Sequence, residues 1–177
     1  TLIINEEFAN TDKKCVSVAY DNSFYPNYSE VEAPTYPGSG TTGDYLLYGR
    51  NWTANGIESL ALWFRGQSDN PAERMYVVLE DSSIQVEVPY YGDANDIRLD
   101  KWQEWNISID EFAGINPTNI VRIYIGFGDR DDPVTGGIGT VYFDDLRLYP
   151  SRCVPKMAYL SGSFDGDCLT DYFDLAM

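Results

Sequence analysis

The sequence predicts an all-β protein: an antiparallel β-sandwich or jelly roll with a short loop-and-helix tail at its C-terminus. Three observations carry the prediction. Apolar residues alternate with other residues at period two over short segments, the signature of strands with one face buried. Gly, Pro, Asn and Asp punctuate those segments at short intervals, as turns between antiparallel strands require. Helical periodicity is nearly absent, and about nine short strands separated by turn signals suit a sandwich better than an α/β fold.

The clearest strand is Leu60 to Arg65, where Leu60, Leu62 and Phe64 point to a core and Ala61, Trp63 and Arg65 point away. Met75, Val77 and Leu79 alternate in the same way with Tyr76, Val78 and Glu80, and Val121, Ile123, Ile125 and Phe127 with Arg122, Tyr124 and Gly126. Shorter candidates are Leu2 to Ile4, Cys15 to Tyr20, Tyr28 to Glu32, Ser83 to Val88 and Trp102 to Ser108, and a long last strand runs from Thr140 to Tyr149. One helical turn is expected after Ser108, which can cap it, with Glu111 at the capping-box position and Gly114 and Pro117 ending it. Composition changes at Pro150. Residues 1–150 therefore read as one module, and residues 151–177 as a linker followed by a separate small motif.

Composition excludes several functions. The 177 residues include 12 Lys and Arg, 28 Asp and Glu and no His, a net charge of −16. Without histidine there is no Ser-His-Asp or Cys-His catalysis and no His-ligated metal. So acidic a chain repels phosphate backbones, whose protein affinity comes from Lys and Arg releasing counterions, so nucleic acid is not an expected partner. No apolar run reaches the roughly 18 residues that span a bilayer, so membrane insertion is not expected. At 44% hydrophobic and 15% aromatic residues the chain has the material for a core, unlike a disordered acidic tail.

The carboxylates are not evenly spread. From Ser163, positions 1, 3, 5, 7, 9 and 12 hold Ser163, Asp165, Asp167, Leu169, Asp171 and Asp174. A Ca²⁺ loop of EF-hand type takes side-chain oxygens at those positions and a backbone carbonyl at position 7, here that of Leu169. The alternative is an acidic tail that holds no ion. The segment resembles one repeat of a bacterial dockerin. It departs from that pattern at Ser163, where the family usually has Asp, and at Cys168, where it usually has Gly, and the chain ends before a second repeat.

A second resemblance covers most of the chain. Trp52-Thr53, Leu60 to Gly66, Met75 to Asp81, Trp102 to Ile107, Ile125 to Asp131 and Gly139 to Tyr149 with its Phe143-Asp144-Asp145-Leu146 resemble a carbohydrate-binding-module-like jelly roll of the galactose-binding-like fold. Such domains occur in large secreted bacterial proteins that often continue into a dockerin-like tail. The resemblance implies a non-catalytic, secreted or cell-surface protein that binds a glycan or polysaccharide. It also implies a structural Ca²⁺ held by Asp144, with Asp145 as an additional candidate, and by Glu6 or Glu7 of the first strand region. The alternative for Asp144 and Asp145 is that they cap a strand or face water. The rival to glycan binding is an assembly subunit of an extracellular filament or surface layer, joined to other domains or protomers by Ca²⁺ sites and the tail.

Sugar recognition needs aromatic faces against C–H faces and planar polar side chains at the rim. The outward positions of the three clearest strands supply Trp63, Tyr76 and Tyr124 as platforms with Arg65, Arg122 and Glu80 as polar partners, expected to share one face. Tyr90 and Tyr91 are expected to be exposed in a loop. Arg130 is expected to pair within its own Asp129 to Gly137 turn. No spacing among the acidic residues singles out a general acid and its partner, so no catalytic residue is assigned. Of the three cysteines, Cys153 and Cys168 can close a loop of about 15 residues, which stabilises by roughly 3 kcal/mol in the chain-entropy model. The rival pairing is Cys15 with Cys153.

Overall fold

Each alternating segment has one apolar side, and a strand can bury that side only against a second layer. The computed structural model describes residues 10, 14–35 and 49–150 and the strand course of residues 2–5. Among the described residues there are nine strands: β1 (Leu2–Asn5), β2 (Cys15–Asp21), β3 (Tyr28–Pro34), β4 (Ser59–Arg65), β5 (Met75–Glu80), β6 (Gln85–Pro89), β7 (Trp102–Ser108), β8 (Arg122–Gly128) and β9 (Ile138–Tyr149). They form a five-stranded sheet in the order β1-β2-β9-β4-β7 and a four-stranded sheet in the order β3-β8-β5-β6, with antiparallel pairing throughout. This is the predicted sandwich. Among the described residues no helix is long and apolar enough to cross a membrane.

The core lies between the sheets and follows the predicted parity. Leu60, Leu62 and Phe64 face Met75, Val77 and Leu79, all essentially without solvent exposure. Aromatic rings tie the layers together: Tyr20 of β2 stacks on Phe127 of β8 at 4.5 Å between centroids, and Phe127 meets Phe143 of β9 at 6.3 Å. Trp52 and Trp105 are also fully buried. Each large side chain of this kind contributes about 1.5–3 kcal/mol by leaving water.

One strand breaks strict alternation. On β9 the core residues are Val141 and Phe143 and then Leu146 and Leu148, so an extra residue falls between Phe143 and Leu146. The pairing of β4 with β9 shifts at this point, between Ala61 and Trp63, and Asp145 takes a left-handed φ of 48°. An Asp tolerates that conformation better than the Leu beside it would. The turn after β7 also forms as predicted: Ser108 Oγ accepts the Asp110 N–H at 3.3 Å and begins a single 3₁₀ turn over Ile109–Glu111. The expected tail, with Asp165, Asp167, Leu169, Asp171 and Asp174, and both Cys153 and Cys168 lie outside the described residues. Cys15 is buried at the start of β2.

Candidate functional site

Two strands that follow each other in the chain, β4 and β5, lie in different sheets. Trp63 and Arg65 therefore occupy the outer face of the five-stranded sheet, while Tyr76, Arg122 and Tyr124 occupy the outer face of the four-stranded sheet. The expected single face is two faces pointing apart. Parity fixes whether a side chain points inward or outward; it carries no information about which layer its strand joins.

On the four-stranded sheet, register sets the neighbours. Glu32, Tyr124, Val78 and Glu87 form one cross-strand row, and Glu30, Gly126, Tyr76 and Pro89 form the next. Arg122 lies opposite Glu80, which lies opposite Gln85. Tyr76, Val78 and Tyr124 form a small apolar cluster separate from the main core, and Tyr76 and Val78 have no solvent exposure. Neither Tyr76 nor Tyr124 offers the open ring face expected of a platform, because polar side chains close over them. Arg74 lies 5.5 Å above the Tyr76 ring, and the Tyr76 hydroxyl donates to Glu30 Oε1 at 3.0 Å.

Those polar groups form a connected band. The Tyr124 hydroxyl donates to Glu80 Oε2 and accepts from Gln85 Nε2 at 3.2 Å. Arg122 pairs with Glu80 at 3.3 Å and with Glu32 at 3.7 Å. Arg130 donates to Gln85 Oε1 at 2.8 Å and lies 3.5 Å from Glu30, so it reaches back over the sheet and does not pair inside its own turn. The turn needs no help from it, since Asp129 accepts the backbone N–H groups of Asp131 and Asp132, which also hold the Asp129 carboxyl below its usual range.

Electrostatics follow the packing. Burial, reinforced by the hydrogen bond to Glu80, pushes the Tyr124 hydroxyl up to about 12, so it is a neutral donor at any physiological pH. Burial and the adjacent Glu30 raise Tyr76 further. Glu80 and Glu32 raise Arg122 above its ordinary value. Burial also raises Glu87, whose Oε1 is held by Arg74 while its Oε2 is enclosed without a hydrogen-bond partner. Chemically, the face offers guanidinium and amide donors interleaved with carboxylate acceptors over a dry base. Gln85, Glu30 and Arg130 are additions to the residues expected. The alternation of β3 and β6 places Glu30 and Gln85 outward, but only pairing with β8 and β5 brings them to Tyr124 and Tyr76.

The remaining expectations divide. Tyr91 is 41% exposed, but Tyr90 packs edge-on against Phe64 and Trp105 and donates to Asp96 at 2.8 Å, so it belongs to the margin of the core. At the predicted metal position, Asp144 Oδ2 accepts the Asn10 N–H at 2.8 Å and Oδ1 accepts the Asp145 N–H at 2.7 Å. Asp145 takes the Asn10 side-chain amide at 3.1 Å and pairs with Arg147. These carboxylates bind N–H donors, and no three metal-ligating side chains converge among the described residues. Glu6 and Glu7, the carboxylates expected to complete the site with Asp144, lie outside the described residues.

No family model matches the chain, and no curated protein matches it in sequence. Solved structures with the same fold include carbohydrate-binding modules and also two agarases, of which this chain spans 23% and 25% of the length. A family 30 module superposes with a TM-score of 0.59 at 12% identity, over 85% of this chain and 84% of that one. The family 11 module from Clostridium thermocellum, in complex with a β-1,3-1,4-mixed-linked tetrasaccharide, gives 0.54 at 10% identity, over 85% and 82%. The CBM22-2 xylan-binding domain from Paenibacillus barcinonensis Xyn10C gives 0.53 at 11% identity, over 85% and 87%.

Proposed function

We propose that this chain is a non-catalytic, extracellular glycan-binding module that uses the outer face of its four-stranded sheet. The supporting observation is the band from Arg130 through Gln85, Tyr124 and Glu80 to Arg122, which crosses strands β6, β5 and β8 as an unbroken series of planar donors and acceptors. Sugar hydroxyls both donate and accept, so they can exchange into such a network without leaving a partner unpaired. Because Tyr76 and Tyr124 are covered, the proposed recognition rests on hydrogen bonds at the band more than on stacking. The fold shared with carbohydrate-binding modules supports the same class of ligand.

A glycan array followed by calorimetry on mixed-linked β-glucan and xylan tests the reading. Wild type should bind at least one glycan without shortening it, and Arg122→Ala should weaken binding at the four-stranded face about tenfold or more, the loss of roughly 1.4 kcal/mol at that site. Failure to bind any glycan overturns the reading. The proposal extends to Ca²⁺: each Asp144 oxygen accepts one N–H and keeps a second lone pair, which Glu7 could complement, and the Asp165, Asp167, Leu169, Asp171 and Asp174 spacing forms a second site. Chelator should then lower the melting temperature, and an unchanged melt rejects the Asp144 site.

A further inference from the structure

Resting on the glycan-binding reading, we propose that the outer face of the five-stranded sheet is a second binding strip for a neutral glycan, so that one module holds two chains on opposite sides. The strip is built by register. Arg65 on β4 lies between Tyr142 on β9 and Trp102 on β7, and in the next row Trp63 lies between Asp144 and Glu104. Trp63 and Trp102 are diagonal neighbours, a spacing of about 7–8 Å across a sheet. Both indoles stay partly exposed, in contrast to the covered Tyr76 and Tyr124 on the opposite face.

The strip continues past the end of β4. Gln67 donates to the Tyr142 hydroxyl at 3.4 Å and helps line an open depression of about 420 Å³ with Asp21, Asp69, Asn70 and Thr140. That volume falls in the range of small-ligand sites, about 300–1,000 Å³. Two indole faces suit the C–H faces of pyranose rings. The Arg65 guanidinium, the Gln67 amide and the Asp69 and Asp21 carboxylates suit their hydroxyls. Charge selects among glycans: Asp100 lies 3.8 Å from Arg65, and Glu104 and Asp144 flank Trp63, on a chain of net charge −16. Uronate or sulfate groups would be repelled here, so the occupant is uncharged. The two outer faces point away from each other across a sandwich about 10 Å thick between sheets, so occupation of both cross-links chains.

Calorimetry with mixed-linked β-glucan and xylan oligosaccharides, together with turbidity of the corresponding polymers, tests this. Wild type should bind two oligosaccharides per module and precipitate the polymer, and Trp102→Ala and Arg122→Ala should each reduce the stoichiometry to one and abolish precipitation. Combining the two substitutions should remove binding. If Trp102→Ala fails to fold, Arg65→Lys gives the same readout, because it keeps the charge and loses the planar fork. Wild-type stoichiometry of one, unchanged by Trp102→Ala or Arg65→Lys and lost in Arg122→Ala, overturns the second strip and leaves the first standing. Absence of any glycan binding by wild type removes both.

Discussion

The ring of Tyr76 lies across the backbone of Gly126, so close that a Cβ at position 126 would sit 2.2 Å from Cζ. The two residues are direct cross-strand partners on β5 and β8. A glycine inside a strand weakens it unless a close approach requires one, and here the phenol occupies the space a side chain would take. The contact carries the Tyr76 hydroxyl over the sheet to Glu30.

Gly126→Ala should therefore force the ring off its seat. The expected loss is about 1–3 kcal/mol, the usual cost of overpacking a closed site. Urea unfolding measures it. An alanine variant as stable as wild type would mean that Tyr76 has room to move, contrary to its lack of exposure.

Asp81 should make a specific contribution to acid stability. Its carboxylate follows β5 and accepts the backbone N–H groups of Ser83 at 2.6 Å, Ile84 at 2.9 Å and Asn116 at 2.7 Å. Those bonds hold its pKa below the ordinary value. A lowered folded pKa gives stability that is present above the unfolded value, about 3.9, and lost as pH falls through the folded value. Asp81→Asn should thus flatten the fall of melting temperature below pH about 4 while lowering it at neutral pH. Parallel acid limbs for wild type and variant would reject the assignment.

Asn70 has a structural task suited to deletion. It is 3% exposed; its amide donates to the Ile97 carbonyl at 2.7 Å and the Thr140 carbonyl at 2.8 Å, and its Oδ1 accepts the Thr140 N–H at 2.9 Å. Asn70→Ala strands these buried backbone groups, at a cost of about 1–3 kcal/mol. Chemical denaturation reads the loss. Hydrogen exchange should rise first at Thr140, and unchanged protection there would count against the bridge.

Legibility from sequence depended on how local each cause was. The parity of Leu60, Leu62 and Phe64 and of Met75, Val77 and Leu79 was sufficient to identify strands and core, because a period of two is a property of one strand. Ser108 identified its own turn through its own side chain. Gln85 and Arg130 were not legible as partners of Tyr124 and Glu30, because residues far apart in sequence meet only once β8 lies between β3 and β5. The extra residue at Asp145 was written in the three-residue step from Phe143 to Leu146, yet its effect, turning Trp63 opposite Asp144, needs β4 alongside β9.

The sequence by itself determined the all-β class, the strands, the inward and outward sides of each, and an acidic, histidine-free chemistry. These follow from local periodicity and from composition, neither of which needs a partner strand. Only the tertiary structure decided how the outward residues are shared between two opposed faces, with Tyr76, Tyr124 and Arg122 on one and Trp63 and Arg65 on the other. It also decided that the tyrosines are covered while the tryptophans remain partly open. Sheet assignment and cover depend on long-range pairing, and that pairing is set by the packing of the whole core.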